Sequence, residues 1–264
     1  MLLKRVAVAA GGLPLALAAV YFGGWWFFLL IAAALTLALV EYLRLLRLKV
    51  EGVEGPVAYA GLALALLGAF LGGERWALAA PALVFMLLVF RQVLRRVPGN
   101  PLGLAATYFA WLHSGWLGSF FLLLRGLPGG LFYTLFALSV TWAFDTAAYF
   151  VGGAWGRHKI CPALSPGKSA EGLFAGLAGA LLVAWGLGAL GPGLCGGPAP
   201  GVARSLLWGL AVAVAAQVGD LAESMVKRFT GVKDSGGLLP GHGGVLDRLD
   251  SVMFAAPVMY LLVR

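Results

Sequence analysis

The sequence predicts an all-α protein, a polytopic membrane bundle of about nine transmembrane helices. Three observations predict it. Of 264 residues, 61% are apolar and only 11% charged, with a mean hydropathy of +0.92; a soluble globular chain carries roughly 45–50% apolar and about 25% charged residues. The apolar residues come in blocks of about 20, the length that crosses a hydrocarbon core roughly 30 Å thick. The basic residues fall in the gaps between blocks, and mostly in every second gap.

The blocks run over about 6–23, 25–41, 56–72, 76–90, 103–124, 131–152, 171–190, 203–222 and 251–263. Lipid offers no partner to backbone N–H and C=O groups, so each block should be a helix. Their Ala, Leu and Gly content without strict alternation argues against a β-barrel. The first block follows Lys4-Arg5 and contains Ala16-Leu17-Ala18, which resembles a secretory signal; the uncleaved helix is the favoured reading. The second opens on Trp25-Trp26, an interfacial anchor. Pro98-Gly99-Asn100-Pro101 precedes the fifth block, in which His113 reads as a packed polar residue. Pro128-Gly129-Gly130 and Gly196-Gly197-Pro198 stop helices on either side of the sixth and seventh blocks. Gly172-x-x-x-Gly176 in the seventh permits close helix packing. The ninth is short, so it either begins within the preceding polar motif or crosses at a thin place. Residues 1–130 read as about five N-terminal helices, and 131–264 as the region that carries the chemistry.

The net charge of +8 does not indicate nucleic acid, because the basic residues line no single polar face. With nine crossings, fifteen of the 19 Lys and Arg share the face of the N-terminus, in groups at 4–5, 44–49, 91–96, 157–168 and 227–248. Only Arg75, Arg125, Arg204 and Arg264 lie opposite. Basic loops stay in the cytoplasm, which puts the N-terminus and these loops there. Cys161 and Cys195 have no metal-ligand spacing and read as structural.

Ionisable residues within membrane helices are costly, and so point to function. Asp145 lies inside the sixth block, in Thr141-Trp142-Ala143-Phe144-Asp145. The eighth ends in Gln217, Asp220, Ser224 and Lys227, spaced to share one helical face. A glycine-rich loop, Lys233-Asp234-Ser235-Gly236-Gly237 through His242-Gly243-Gly244, then leads to Asp247-Arg248-Leu249-Asp250. Hard divalent cations take carboxylates together with substrate phosphates. Glycines let backbone N–H groups approach phosphate, and a helix start adds positive charge. This is the composition of a metal and phosphate site. After Asp145 comes a basic loop, Arg157-His158-Lys159, then Ser165-Pro166-Gly167-Lys168-Ser169-Ala170-Glu171-Gly172. Its Gly-Lys-Ser lacks the leading glycine and strand of a P-loop, yet it fits triphosphate binding.

The run Ser224-x₂-Lys227-Arg228-x₄-Lys233-Asp234-x-Gly236-x₂-Leu239-Pro240-x-His242-Gly243-Gly244-x₂-Asp247-Arg248-x-Asp250 closely resembles the signature of the phosphatidate cytidylyltransferases, or CDP-diacylglycerol synthases. The segments Asp145-Thr146-x-Ala148-Tyr149, Ser165-Pro166-x-Lys168-Ser169-x-Glu171-Gly172 and Gly219-Asp220-x₂-Glu223-Ser224 are similar to the same family, with Ser169 where a threonine is expected. The resemblance covers about 141–251. It implies a Mg²⁺-dependent membrane enzyme, with a second cation allowed, that joins CTP to phosphatidic acid and is a homodimer in the bacterial inner membrane. On that basis Asp220, Asp247 and Asp250, with Asp145, are the expected metal ligands. Asp220, Asp247, Asp250, Lys227 and His242 are the expected catalytic residues. Substrate contacts are assigned to Asp145, Lys159, Ser165, Lys168, Glu171, Glu223, Ser224, Arg228, Lys233, Asp234, Gly243, Gly244 and Arg248. Two other readings stay open: a CTP-dependent kinase of a lipid alcohol, and a transporter using Asp145 and Asp220 as a cation path.

Overall fold

The computed structural model describes residues 2–95, 99–237 and 243–264, with the side chains of 2–11, 192, 194 and 195 left aside. It is all-helical, 81% helix, with no strand among the described residues. In order come α1 (Leu2–Phe22), α2 (Gly24–Arg47), α3 (Gly55–Leu67), α4 (Glu74–Leu94), α5 (Pro101–Trp111), α6 (Gly118–Gly126), α7 (Gly130–Trp155), α8 (Ala170–Cys195), α9 (Val202–Thr230) and α10 (Leu246–Val263). A π-helical turn, Gly68–Gly72, extends α3, and another, Leu112–Leu117, joins α5 to α6. Each apolar block of the sequence lies on one of these helical stretches. Six stretches of the described residues are long and apolar enough to span a membrane: Gly24–Arg47, Gly55–Gly72, Glu74–Leu94, Gly130–Trp155, Ala170–Gly191 and Val202–Thr230. Of the two alternatives for the last block, the structure takes the first: α10 begins at Leu246, inside the polar motif.

The chain forms two compact units, Met1–Gly126 with Val226–Leu249, and Leu127–Met225 with Asp250–Arg264. The core of the first contains Leu35, Leu39, Leu43, Trp111 and Leu124, all fully buried. Gly61 admits the Trp111 indole, since a Cβ there would stand 2.8 Å from its Nε1. Polar ties close the helix ends, as low-dielectric surroundings demand. The buried Glu54 carboxylate takes Arg91 and, at 2.6 Å, Arg95 from the end of α4. The Glu54 amide donates to the Thr107 hydroxyl at 2.8 Å, which donates in turn to the Gly103 carbonyl. Arg125 donates to the carbonyls of Val20 and Tyr21 at 2.7 and 3.0 Å, satisfying acceptors that the end of α1 leaves open. The second π-helical turn buries His113 with its ring 5.0 Å from that of Tyr42, a packed polar residue as expected.

In the second unit, α7 and α8 pack through glycines. A Cβ on Gly172 would stand 2.9 Å from the Ala148 carbonyl, one on Gly176 2.8 Å from the Phe144 ring, and one on Gly179 2.9 Å from Ala147. Small residues at these positions allow the two backbones to touch. Gly219 does the same between α9 and α10, where a side chain would overlap the Asp250 carbonyl.

Candidate active site

The polar residues gather into two clusters, one in each unit. In the first, Asp247 at the start of α10 is the hub. Its Oδ1 receives the Lys227 ammonium at 2.7 Å, with side-chain exposures of 14% for Lys227 and 9% for Asp247. Its Oδ2 accepts from the Ser235 amide at 3.0 Å, the Ser235 hydroxyl at 2.9 Å and the Gly244 amide at 2.8 Å. Gly243 adopts a φ of +80°, and a Cβ on it would come within 2.9 Å of the same carboxylate. The glycine pair therefore lets the backbone wrap one acidic side chain.

Sequence reasoning missed a residue here. Glu41 of α2, 1% exposed, accepts from the Leu246 amide at 2.8 Å and lies 3.2 Å from the Ser235 hydroxyl. Gly236 and Gly244 are glycines partly on its account, since a Cβ on either would overlap its carboxylate. The rule that singled out Asp145, a carboxylate within an apolar block, applied equally to Val40-Glu41-Tyr42.

In the second cluster, Asp145 of α7 has Asp250, Asp220 and Lys168 as charged neighbours, with the Ser251 side chain close by. Lys168 reaches Asp220 at 2.8 Å. Ser224 donates to Asp220 at 3.3 Å, and the Asp250 carboxylate accepts from the Ser251 amide at 2.6 Å. The Lys168 ammonium thus pairs with Asp220 beside Asp145, and carboxylates gathered in this way are the kind of group that a divalent cation takes. Among the described residues no three His, Cys, Asp or Glu are grouped to hold a metal alone. The donor set still fits Mg²⁺, which usually takes one or two carboxylates and completes its shell with phosphate and water oxygens.

The loop before α8 is held by Glu171, one of the expected substrate contacts. Its carboxylate accepts from the backbone amides of Arg157 and His158 and meets His158 Nδ1 at 2.6 Å. An antiparallel bridge pairs Lys159 with Ser169, and the Lys168 amide turns back onto the Ser165 carbonyl. Together these restrain the segment that presents Lys168. The side chains of Lys159, Arg228, Lys233, Asp234 and Arg248 are exposed, whereas Glu223 and Ser224 are buried. His242, Leu239 and Pro240 lie outside the described residues.

A family model, that of the cytidylyltransferase family, matches residues 3–264. The chain belongs to the cytidylyltransferase family. Among curated members, it is similar to the phosphatidate cytidylyltransferase of Bacillus subtilis (strain 168), 34% identical over 240 residues, 86% of this chain and 85% of that protein. An uncharacterized Escherichia coli protein, YnbB, is 38% identical over 199 residues, 72% of this chain and 64% of the relative. The phosphatidate cytidylyltransferase of Brucella suis is 46% identical over 144 residues, 53% of this chain and 50% of that protein. The chain thus matches most of one relative's length, under two thirds of another's and half of a third's.

Proposed function

We propose that this member of the family is a phosphatidate cytidylyltransferase, converting CTP and phosphatidic acid to CDP-diacylglycerol and pyrophosphate. The observation that carries the reading is the match to the Bacillus subtilis enzyme of that name across 85% of its length. The composition of the polar clusters supports the reading. The nucleophile is the phosphate of phosphatidic acid; a phosphate monoester has its second pKa near 6, so it is largely dianionic at neutral pH and requires no strong base. It attacks the α-phosphorus of CTP, and pyrophosphate leaves in line. The barrier is repulsion between two polyanions, so cationic side chains act by positioning them and by stabilising the charge that develops.

Lys168, Lys227, Arg228, Lys233, His242 and Arg248 are proposed to meet phosphate oxygens, with Lys159, Ser165, Glu223, Ser224, Asp234, Gly243 and Gly244 beside them. Glu171 acts by holding the loop of Lys168. Asp145, Asp220, Asp247 and Asp250 are proposed as carboxylates that hold Mg²⁺, with a second cation allowed. When bound, the metal supplies a Lewis acid that draws charge from phosphoryl oxygens. The chain is proposed to cross the bacterial inner membrane nine times as a homodimer, N-terminus and active site facing the cytoplasm. CTP is then within reach from the water and the lipid sideways from the bilayer. The relatives' names favour neither a lipid-alcohol kinase nor a transporter.

The test uses detergent-purified protein with phosphatidic acid, Mg²⁺ and labelled CTP. Label from the α-phosphate should enter a chloroform-soluble product with matching pyrophosphate. Transfer of the γ-phosphate alone would establish the kinase, and no transfer from folded protein would remove the synthase reading. In the same assay, Lys168→Met should lower kcat/KM for CTP by about 10- to 150-fold, since a charge-assisted hydrogen bond is worth roughly 1.5–3 kcal/mol and Asp220 loses its ion-pair partner.

A further inference from the structure

We infer that Glu41 is a positioning residue for this reaction, a carboxylate on α2 that holds the loop between α9 and α10 and, through Ser235, sets the carboxylate of Asp247. The role in catalysis rests on the synthase reading; the hold on the loop does not. Glu41 is 1% exposed on a helix whose neighbouring positions are Leu39, Tyr42 and Leu43. A carboxylate in such a place is costly unless donors surround it. Its polar partners come from far along the chain: the Leu246 amide in the first turn of α10, 205 residues away, which donates to it, and the Ser235 hydroxyl, 194 residues away, whose one proton serves either Glu41 or Asp247. Both act on Oε2. Its Oε1 is buried with no hydrogen-bond partner among the described residues. α2 itself would be served better by an apolar side chain. What its oxygen holds is the motif at Ser235 and Leu246.

The hold extends to Asp247. The Ser235 hydroxyl lies 3.2 Å from Glu41 Oε2 and 2.9 Å from Asp247 Oδ2. A hydroxyl has one proton and two lone pairs, so two carboxylates on one hydroxyl are coupled, and displacing one changes the hydrogen bond of the other. The Leu246 amide is a donor that the start of a helix leaves without an intrahelical partner. Its bond to Glu41 fixes the helix end from which Asp247 projects one residue later. Gly236 and Gly244 keep the loop backbone close enough for both contacts.

Glu41→Ala, Glu41→Gln and Ser235→Ala separate this role from a general loss of structure. Two quantities are measured on each purified full-length variant: the kinetics of transfer from CTP, and deuterium exchange of the amides at 231–250. In Glu41→Ala, kcat should fall about 100-fold while KM for CTP and for phosphatidic acid stay within about threefold, the pattern of catalytic groups displaced rather than binding lost. Leu246, Ser235 and Gly244 should exchange about tenfold faster or more, the rest of α9 being unchanged. Glu41→Gln keeps an oxygen for both donors and should recover kcat to within about fivefold of wild type, with exchange restored. Ser235→Ala should fall between the two.

A Glu41→Ala protein with wild-type kcat, or with kcat lost but exchange unchanged, overturns the inference. So does a Glu41→Gln protein with exchange restored and activity still absent, which would assign the work to the charge itself. Should Glu41→Ala fail to fold, Ser235→Ala decides: wild-type kcat and exchange would sink the coupling. If the wild-type protein makes no CDP-diacylglycerol, the synthase reading fails, and the exchange measurement still reads whether Glu41 holds the loop.

Discussion

Asp247→Asn is expected to lower turnover by about 10²-fold or more, because a proposed metal ligand is lost, and to destabilise the fold by roughly 3–5 kcal/mol, the cost of removing one member of a buried ion pair. The reason lies in the number of donors. Lys227, the Ser235 amide and hydroxyl, and the Gly244 amide all point at Asp247, and each donates or can donate. A carboxylate accepts from all of them. An asparagine offers one acceptor oxygen and turns an NH₂ group toward further donors, while Lys227, its side chain 14% exposed, loses the Asp247 carboxylate. The measurement is CDP-diacylglycerol formation beside the thermal midpoint in detergent. Adding Lys227→Gln to Asp247→Asn should restore much of the lost stability, since no buried charge is then left alone. It should not restore turnover, because the proposed phosphate-binding cation is gone as well. Recovery of both would show that the pair only supports the fold.

Gly244→Ala is expected to be damaging, though less so, and Gly237→Ala, seven residues earlier, to be silent. A Cβ at Gly244 would overlap the Ser235 hydroxyl and the Glu41 carboxylate, whereas one at Gly237 meets nothing within 4 Å among the described residues. Overpacking of this kind costs about 1–3 kcal/mol, which for a chain of this size lowers the melting midpoint by about 2–12 °C. Activity should fall further than stability, by about tenfold or more, because the same shift carries the Gly244 amide away from Asp247. Differential scanning fluorimetry and the transfer assay on the two alanine variants check this. Equal behaviour of the two would mean that the loop packs differently around Glu41.

Much of the helical framework was legible because lipid leaves the chain few choices. A backbone without water must satisfy itself within each segment, so apolar blocks became helices, broken at Gly23, Gly73 and Gly129, where positive φ suits glycine. The packing of Gly172 and Gly176 was legible for a similar reason, since the spacing alone puts both on one helix face. The π-helical turns at Gly68–Gly72 and Leu112–Leu117 were not, because they answer to side chains packed from other helices. Of the candidate site, the residue types could be read directly. Carboxylates and ammonium groups inside apolar blocks announce their cost. Their partners could not: nothing local says that Lys168 meets Asp220, 52 positions on, or that Glu171 restrains the backbone of His158.

Glu41 shows where that boundary lies. By itself the sequence determined the helical membrane architecture, the polar motifs and the family, because these depend on composition, spacing and the demand of lipid for closed backbone hydrogen bonds. Only the tertiary structure decided which donors each buried carboxylate receives. Glu41 finds its own at Ser235 and Leu246, 194 and 205 residues downstream. Such a contact leaves no periodicity in the chain. It exists only because folding brings the two segments within hydrogen-bond reach, in a place where water cannot substitute for either.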